Sequence, residues 1–148
     1  MKVRKTTIEI IASLLALLFI YAAISKLLVY DTFVYQISKS PYIENTANTV
    51  AWALPVGEIL IALSLAVPKT RLLGLYASFA VMLMFTIYIF MMLEFSYYVP
   101  CSCGGILNNL SWEQHLVFNI FFTLLAVSGI LLTVIPPKQK QPVHSPAL

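Results

Sequence analysis

Four long apolar stretches, separated by short polar segments, dominate the pattern of the chain. They cover about residues 8–29, 50–67, 72–93 and 114–135. A helix needs ~20 residues to cross a hydrocarbon core of about 30 Å, and each stretch approaches or exceeds that length. Lipid offers no hydrogen-bond partners to the backbone, so these few spans must be helices. The pattern predicts an all-α polytopic membrane protein, with a four-transmembrane-helix bundle formed by residues 1–137.

The composition agrees with a location in lipid. Of the 148 residues, 60% are hydrophobic and 10% are charged, whereas a soluble domain has about 25% charged residues. The net charge of +3 is small and scattered, so we predict contact with the lipid bilayer and no binding of nucleic acid. Residues 138–148, which follow Pro136-Pro137, are predicted to form a disordered cytoplasmic tail.

The basic residues of the short segments predict the orientation. The N-terminus, the link between the second and third spans, and the tail contain Lys2, Arg4, Lys5, Lys69, Arg71, Lys138 and Lys140. In residues 30–49 the only basic residue is Lys39, and residues 94–113 contain no Lys or Arg. The positive-inside rule then places both termini in the cytoplasm. We predict a multi-pass protein of the bacterial inner membrane whose two longer loops face the periplasm.

The first apolar stretch and the loop that follows it each allow a further prediction. The first apolar stretch is too long for the hydrophobic region of a signal peptide, so we predict that it is retained. In the loop that follows, Phe33, Val34 and Ile37 have helical spacing and predict a short amphipathic helix on the membrane surface. Ser40-Pro41 would end that helix.

The loop between the third and fourth spans contains Cys101-Ser102-Cys103-Gly104-Gly105. The predicted topology puts both cysteines on the oxidising side, where a disulfide can persist. Cysteines two positions apart close a very small ring, whose strain would make the bond easy to reduce. Gly104-Gly105 removes side-chain cover. The segment predicts thiol–disulfide exchange; a static loop clip and two unreactive thiols are the alternatives.

The residues after the cysteines could tune such a pair. Ser111 and Gln114 fit a capping box, so the fourth helix is predicted to begin near Trp112, with its positive end favouring a thiolate. Trp112, His115 and Asn119 share one helix face, and His115 could pair with a thiolate or move protons. The alternatives are that Trp112 is an interfacial belt residue and His115 a packing residue. A metal on the cysteines and His115 would lack an obvious fourth ligand, so no metal is predicted.

Lys26 and Glu58 are charged residues embedded in predicted spans. Lys26 is about one turn, and Glu58 about two turns, from the same end of the bundle. A charge in the membrane is costly unless it is paired, so we predict a Lys26–Glu58 ion pair. We favour a structural pin between the first two spans; a proton or ligand site beneath the cysteines is the alternative.

These residues resemble a known family. The run Ala23-Ile24-Ser25-Lys26-Leu27, then Asp31 and Phe33, with Pro55-Val56-Gly57-Glu58-Ile59, is similar to the DoxX-like superfamily. The Cys-Ser-Cys-Gly-Gly segment narrows the resemblance to its MauE branch, the methylamine utilisation membrane proteins. The stretch from Leu110 to Asn119 resembles the version common in Bacteroidetes. The resemblance extends to about Ile135.

The resemblance implies disulfide formation or thiol redox maturation of exported proteins, beside a thioredoxin-like partner. It makes Cys101 and Cys103 the redox pair, and Lys26 and Glu58 the embedded polar positions of the family. Gly105 stands where an aromatic residue often follows in members from methylamine clusters, so no methylamine substrate is inferred.

Together these arguments predict a membrane thiol–disulfide redox protein that acts on a thioredoxin-like periplasmic protein or an exported client. Cys101, Cys103 and His115 would carry the chemistry, supported by Gly104, Gly105, Trp112 and Asn119. The alternative is a non-enzymatic scaffold or accessory subunit of a larger envelope complex, packed through the small residues Ala53, Gly57, Ala62, Gly74 and Ala77. A quinone-coupled oxidoreductase is a third hypothesis, but no residue pattern supports a quinone site, so no cofactor is predicted.

Overall fold

The computed structural model describes residues 2–39, 44–95 and 111–135, and the regular structure in these ranges is helical. In chain order the helices are α1 (Lys2–Leu28), α2 (Tyr30–Ser38), a 3-10 turn (Glu44–Thr46), α3 (Ala47–Ala66), α4 (Arg71–Phe95) and α5 (Trp112–Val134). Four of them, α1, α3, α4 and α5, are long and apolar enough to cross a membrane. The predicted all-α fold with four spans is confirmed. The predicted tail of residues 138–148 lies outside the described residues.

The four long helices form a closed ring. α1 packs against α3 and α5, and α4 packs against the same two helices, so α1 and α4 lie diagonally opposite each other. Leu15, Phe19, Leu65, Leu75 and Ala126 are among the fully buried residues at the centre. The outward faces are also apolar, as expected for a bundle whose surface is covered by acyl chains rather than water.

The two ends of the bundle differ in composition. At one end, here called the basic end, α1 begins at Lys2, α4 begins at Arg71, and α3 and α5 end. At the other, here called the loop end, α1 and α4 end, and α3 and α5 begin. α1 starts six residues before the predicted span because charged residues such as Arg4 continue the helix beyond its apolar part. The basic residues used for the topology prediction therefore lie partly on the helices themselves.

Arg4 joins the start of α1 to the end of α5. Its Nε donates to the carbonyl of Leu132 at 2.6 Å, and its guanidinium also donates to the carbonyls of Thr133 and Ile135. The last carbonyls of a helix have no partner within the helix and carry partial negative charge, so a guanidinium there stabilises the end. The sequence analysis had used Arg4 only as a topology signal.

We expect Arg4→Ala to lower the free energy of unfolding by about 1–2 kcal/mol, because three carbonyls at the end of α5 lose a charged donor. Lys5→Ala is the matched control, since Lys5 is the next residue and is exposed. Denaturant titration in mixed micelles, followed by circular dichroism, measures both. Equal losses for the two variants would contradict the capping role of Arg4.

The helix predicted in the first loop is present as α2; its position on the membrane surface stays a prediction. Phe33 and Ile37 are buried, and their cluster includes Ala47 and Ala51 of α3. The chain leaves α1 at Val29, whose non-helical backbone separates the two helices. Residues 40–43, which include the predicted Ser40-Pro41 stop, lie outside the described residues. α2 thus packs its apolar face against the loop end of α3.

The small residues proposed for close packing divide into two groups. Gly74 and Ala62 are buried, and Ala77 is partly buried against the central cluster. Ala53 is exposed, and a Cβ added at Gly57 would meet no atom within 4 Å. Within this chain, therefore, only the first group contributes to helix packing.

Candidate functional site

The ion pair predicted between the first two spans is present. Lys26 Nζ of α1 lies 2.7 Å from Glu58 Oε1 of α3, and the two side chains are 11% and 2% exposed. α1 and α3 pack along their length, which brings the two positions together. α3 begins three residues earlier than predicted, so Glu58 is eleven residues, or about 16 Å, from the loop end of its helix. The carboxylate thus lies deeper in the bundle than the sequence indicated.

Lys26 has several partners besides Glu58. Its ammonium donates to the carbonyl of Ala22 at 3.3 Å. It also lies 5.9 Å from the ring centroid of Phe33 of α2 and 5.9 Å from that of Phe85 of α4. Aromatic faces attract a cation at this distance, and more strongly when water is excluded. The positive charge of Lys26 is therefore compensated from three directions.

Glu58 has far fewer partners than Lys26. Its Oε1 accepts from Lys26, but its Oε2 is buried and has no hydrogen-bond partner within the described part of the chain. A buried polar atom without a partner is unusual in folded proteins, and it is costly for a charged group. The two halves of the ion pair are thus unequally satisfied.

The start of α5 has the geometry predicted from its sequence. The hydroxyl of Ser111 accepts from the backbone N–H of Gln114 at 3.3 Å, and the side-chain carbonyl of Gln114 accepts from the backbone N–H of Ser111 at 3.0 Å. This reciprocal capping box fixes the helix start at Trp112. Ser111 is the first described residue after the Cys-Ser-Cys segment and follows Cys103 by eight positions in the sequence.

His115 lies on the first turn of α5 and is half-buried. It interacts electrostatically with Lys26, which connects α5 to the ion pair between α1 and α3. Asn119, one turn further, is buried, and its side-chain amide donates to the backbone carbonyl of His115 at 2.9 Å. The described residues therefore bring Lys26, Glu58 and His115 into one neighbourhood, with Asn119 next to it.

Further from the loop end than Asn119, two threonine hydroxyls lie between α5 and α4. The hydroxyl of Thr123 donates to the carbonyl of Asn119 at 2.8 Å, and lies 3.5 Å from the hydroxyl of Thr86. Neither threonine was predicted from the sequence, although Thr123 follows Asn119 by four residues and thus shares its face. Phe85 was not predicted either, because a phenylalanine in an apolar span carries no signal of a cation partner.

The reactive pair predicted from sequence is not described by the structure. Cys101 and Cys103, with Gly104-Gly105, lie outside the described residues, and so do their contacts. The side chain of Trp112 is likewise not described. The roles predicted for these residues remain predictions.

The comparisons with known proteins identify a family. The family model described as methylamine utilisation protein MauE matches residues 4–132. This range includes the ion pair, both cysteines and His115. Neither the curated proteins nor the solved structures yield a significant match to the chain.

Proposed function

The chain belongs to the MauE family of methylamine utilisation proteins, and from this premise we propose that it is a membrane thiol–disulfide redox protein whose reactive pair is Cys101 and Cys103. The observation that carries the proposal is the position of this pair, in the connection that ends at the capped N-terminus of α5. An exposed helix N-terminus carries partial positive charge, which stabilises a nearby thiolate. His115, one turn into the same helix, adds a group able to accept or donate a proton.

The proposed reaction moves two electrons between two sulfur pairs. With Cys101–Cys103 oxidised, a thiolate of the partner attacks one sulfur, the ring disulfide breaks, and the other cysteine leaves as a thiolate. The second thiol of the partner, after losing its proton, attacks the mixed disulfide and releases the remaining cysteine. The partner is oxidised to a disulfide, and the pair is reduced to two thiols. The reverse direction uses the same steps with the second cysteine resolving the mixed disulfide, so no cofactor is needed for the exchange itself.

The proposed location follows from the charge of the two ends. The basic end contains Lys2, Arg4, Lys5, Lys69 and Arg71. The positive-inside rule places it in the cytoplasm, and the loop end then faces the periplasm of a bacterial inner membrane. A thioredoxin-like protein or an exported client is the corresponding partner, because such proteins present thiols on the side where disulfides persist.

We expect Cys101→Ser and Cys103→Ser each to reduce oxidation or reduction of the partner to background, since neither single thiol can complete the exchange. Ser102→Ala is the matched control, because it changes the middle residue and keeps both sulfurs. Differential alkylation of intact cells with a membrane-impermeant reagent, before and after reduction, reports the redox state and exposure of the pair. Wild-type cells should show a partly oxidised pair that shifts when reductant is added.

The single-cysteine variants also provide a trap. Cys103→Ser leaves Cys101 able to form a mixed disulfide that it cannot resolve, so the partner should accumulate as a reducible adduct visible by mass. A pair fixed in one redox state, together with unaltered partner oxidation in both Cys→Ser variants, would rule the proposal out. Circular dichroism of the purified variants confirms that the bundle is folded.

A non-enzymatic scaffold or accessory subunit is the second candidate. Ala53 is exposed and Gly57 leaves open space on α3. Small residues on the outside of a spanning helix allow another helix to approach closely. The scaffold role predicts stable co-purification with one large membrane partner that survives both Cys→Ser changes and is lost in Gly57→Leu. Loss of the complex in the Cys→Ser variants would favour the redox role instead.

A further inference from the structure

The inequality between the two halves of the ion pair points to a second role for Glu58. One carboxylate oxygen is bound by Lys26, whereas the other is buried without a partner in the described ranges. The side chain is only 2% exposed. A pair built only as a structural pin would be most stable with both oxygens satisfied, because buried ion pairs stabilise a fold only when their remaining polar atoms are bonded.

A proton on Oε2 removes the cost of an uncompensated oxygen. Protonation neutralises the carboxyl group, and a neutral acid is far less costly in an apolar medium than a carboxylate. In an ordinary buried ion pair, protonation of the acid would leave the cation buried without a counter-charge, which is also costly. The cost here depends on the other groups around Lys26.

Lys26 keeps part of its compensation when Glu58 is neutral. The Ala22 carbonyl at 3.3 Å still accepts from the ammonium, and the rings of Phe33 and Phe85 still lie 5.9 Å away. These three groups come from α1, α2 and α4, and none of them is titratable. The site therefore supports both states, a charged pair and a lone ammonium beside a neutral acid.

The titratable groups at this site are Lys26 of α1, Glu58 of α3 and His115 of α5. Within the described residues, Lys26 of α1 is the charged group that acts on the Glu58 carboxylate. α2 and α4 present the two aromatic rings to the ammonium, and α5 places His115 within electrostatic range of the same ammonium. His115 lies on the first turn of its helix. It is the titratable residue of α5 that interacts electrostatically with Lys26.

We propose that Glu58 is a reversible proton-binding site inside the bundle, which takes up one proton on Oε2 while Lys26 stays charged. No other bond is made or broken, and the net charge of the pair changes from zero to +1. Thiol–disulfide exchange at the loop end would release and take up protons, and this site could hold one of them; that use rests on the proposed function. Proton binding itself does not depend on the cysteines.

Infrared difference spectroscopy tests the site directly. The full chain with Cys101→Ser and Cys103→Ser is placed in lipid bilayers, so that thiol chemistry cannot contribute. It is brought from about pH 8 to about pH 6, which stays well above the pKa of about 4 of an ordinary carboxyl group. We expect the carbonyl stretching band of a protonated carboxylic acid to appear on acidification and to disappear on return. Glu58→Gln, which keeps the size and a hydrogen-bonding carbonyl, should remove the band completely. Glu94→Gln, a change at an exposed glutamate of α4, should leave it unchanged.

A second variant keeps the assignment of the band to Glu58 testable even where Glu58→Gln does not fold. The combined change Glu9→Gln, Glu94→Gln and Glu113→Gln removes exposed carboxyl groups and leaves Glu58 in place. The band should persist in this protein at full intensity. Absence of an acid-dependent band in the parent protein, its persistence in Glu58→Gln, or its loss in the triple variant would each overturn the proposal. None of these results bears on whether Cys101 and Cys103 exchange disulfides.

Discussion

At about pH 8, Lys26→Met is expected to lower the free energy of unfolding of the bundle by about 3–5 kcal/mol, because the buried Glu58 carboxylate loses its counter-charge at a pH where protonation is itself costly. Glu58 is 2% exposed, and Lys26 supplies the hydrogen bond to its only bonded oxygen within the described chain. Methionine preserves most of the volume and length of lysine, so the loss reports the charge rather than a cavity. Reversible unfolding in mixed micelles, followed by circular dichroism, measures it.

Removal of the carboxylate instead of the ammonium is expected to reduce the free energy of unfolding less. Glu58→Leu leaves Lys26 with the Ala22 carbonyl and with the rings of Phe33 and Phe85. We therefore expect a loss of about 1–3 kcal/mol, as for a charged group that keeps part of its hydrogen bonding. The asymmetry between the two single variants is the specific consequence of this geometry.

The double variant Lys26→Met/Glu58→Leu completes the cycle. Replacing both partners of a buried ion pair by apolar residues of similar size is often neutral, so its stability should return to within about 1 kcal/mol of the wild type. Additive losses in the double variant would show that the two residues do not interact. A greater loss for Glu58→Leu than for Lys26→Met would contradict the role assigned to the carbonyl and the two rings.

Gly74→Ala should also destabilise the bundle strongly. A Cβ at this position would lie 2.9 Å from the backbone N of Leu65, 3.0 Å from Leu65 Cγ and 3.0 Å from the backbone carbon of Ser64. Backbone atoms cannot rotate away as a side chain can, so α4 must shift away from α3. We expect a net loss of about 1–3 kcal/mol, the usual cost of overpacking, despite the better helix propensity of alanine.

Gly57→Ala is the matched control for this prediction. It is the same substitution in a neighbouring spanning helix, where the new Cβ meets no atom within 4 Å. The variant should be as stable as the wild type or more stable by up to about 1 kcal/mol, since alanine is the better helix former. Thermal unfolding of both variants in one detergent compares them directly. Equal behaviour of the two would show that the α3–α4 contact at Gly74 adjusts without cost.

Part of the candidate site could be predicted from local sequence. Lys26 and Glu58 stand out because charges inside spans are rare and need partners. Ser111 and Gln114 specify a helix start because their hydrogen bonds are formed within four residues. The long-range partners could not be predicted in this way. Phe33 and Phe85 are ordinary aromatic residues in the sequence, and only the packing of α2 and α4 around α1 brings them to the ammonium.

The sequence alone determined that this chain is an all-α bundle with four membrane spans, because apolar runs of this length have no other stable form in lipid. It also predicted a Lys26–Glu58 pair and a start of α5 near Trp112, from the cost of an unpaired charge in the membrane and from the local capping box. The tertiary structure decided the rest. The order of helices in the ring settled that Arg4 binds the end of α5, that Gly74 rather than Gly57 lies at a close contact, and that one oxygen of Glu58 has no partner in the described chain. Such facts depend on which faces of separate helices meet, and apolar spans with little amphipathic pattern do not encode that choice locally.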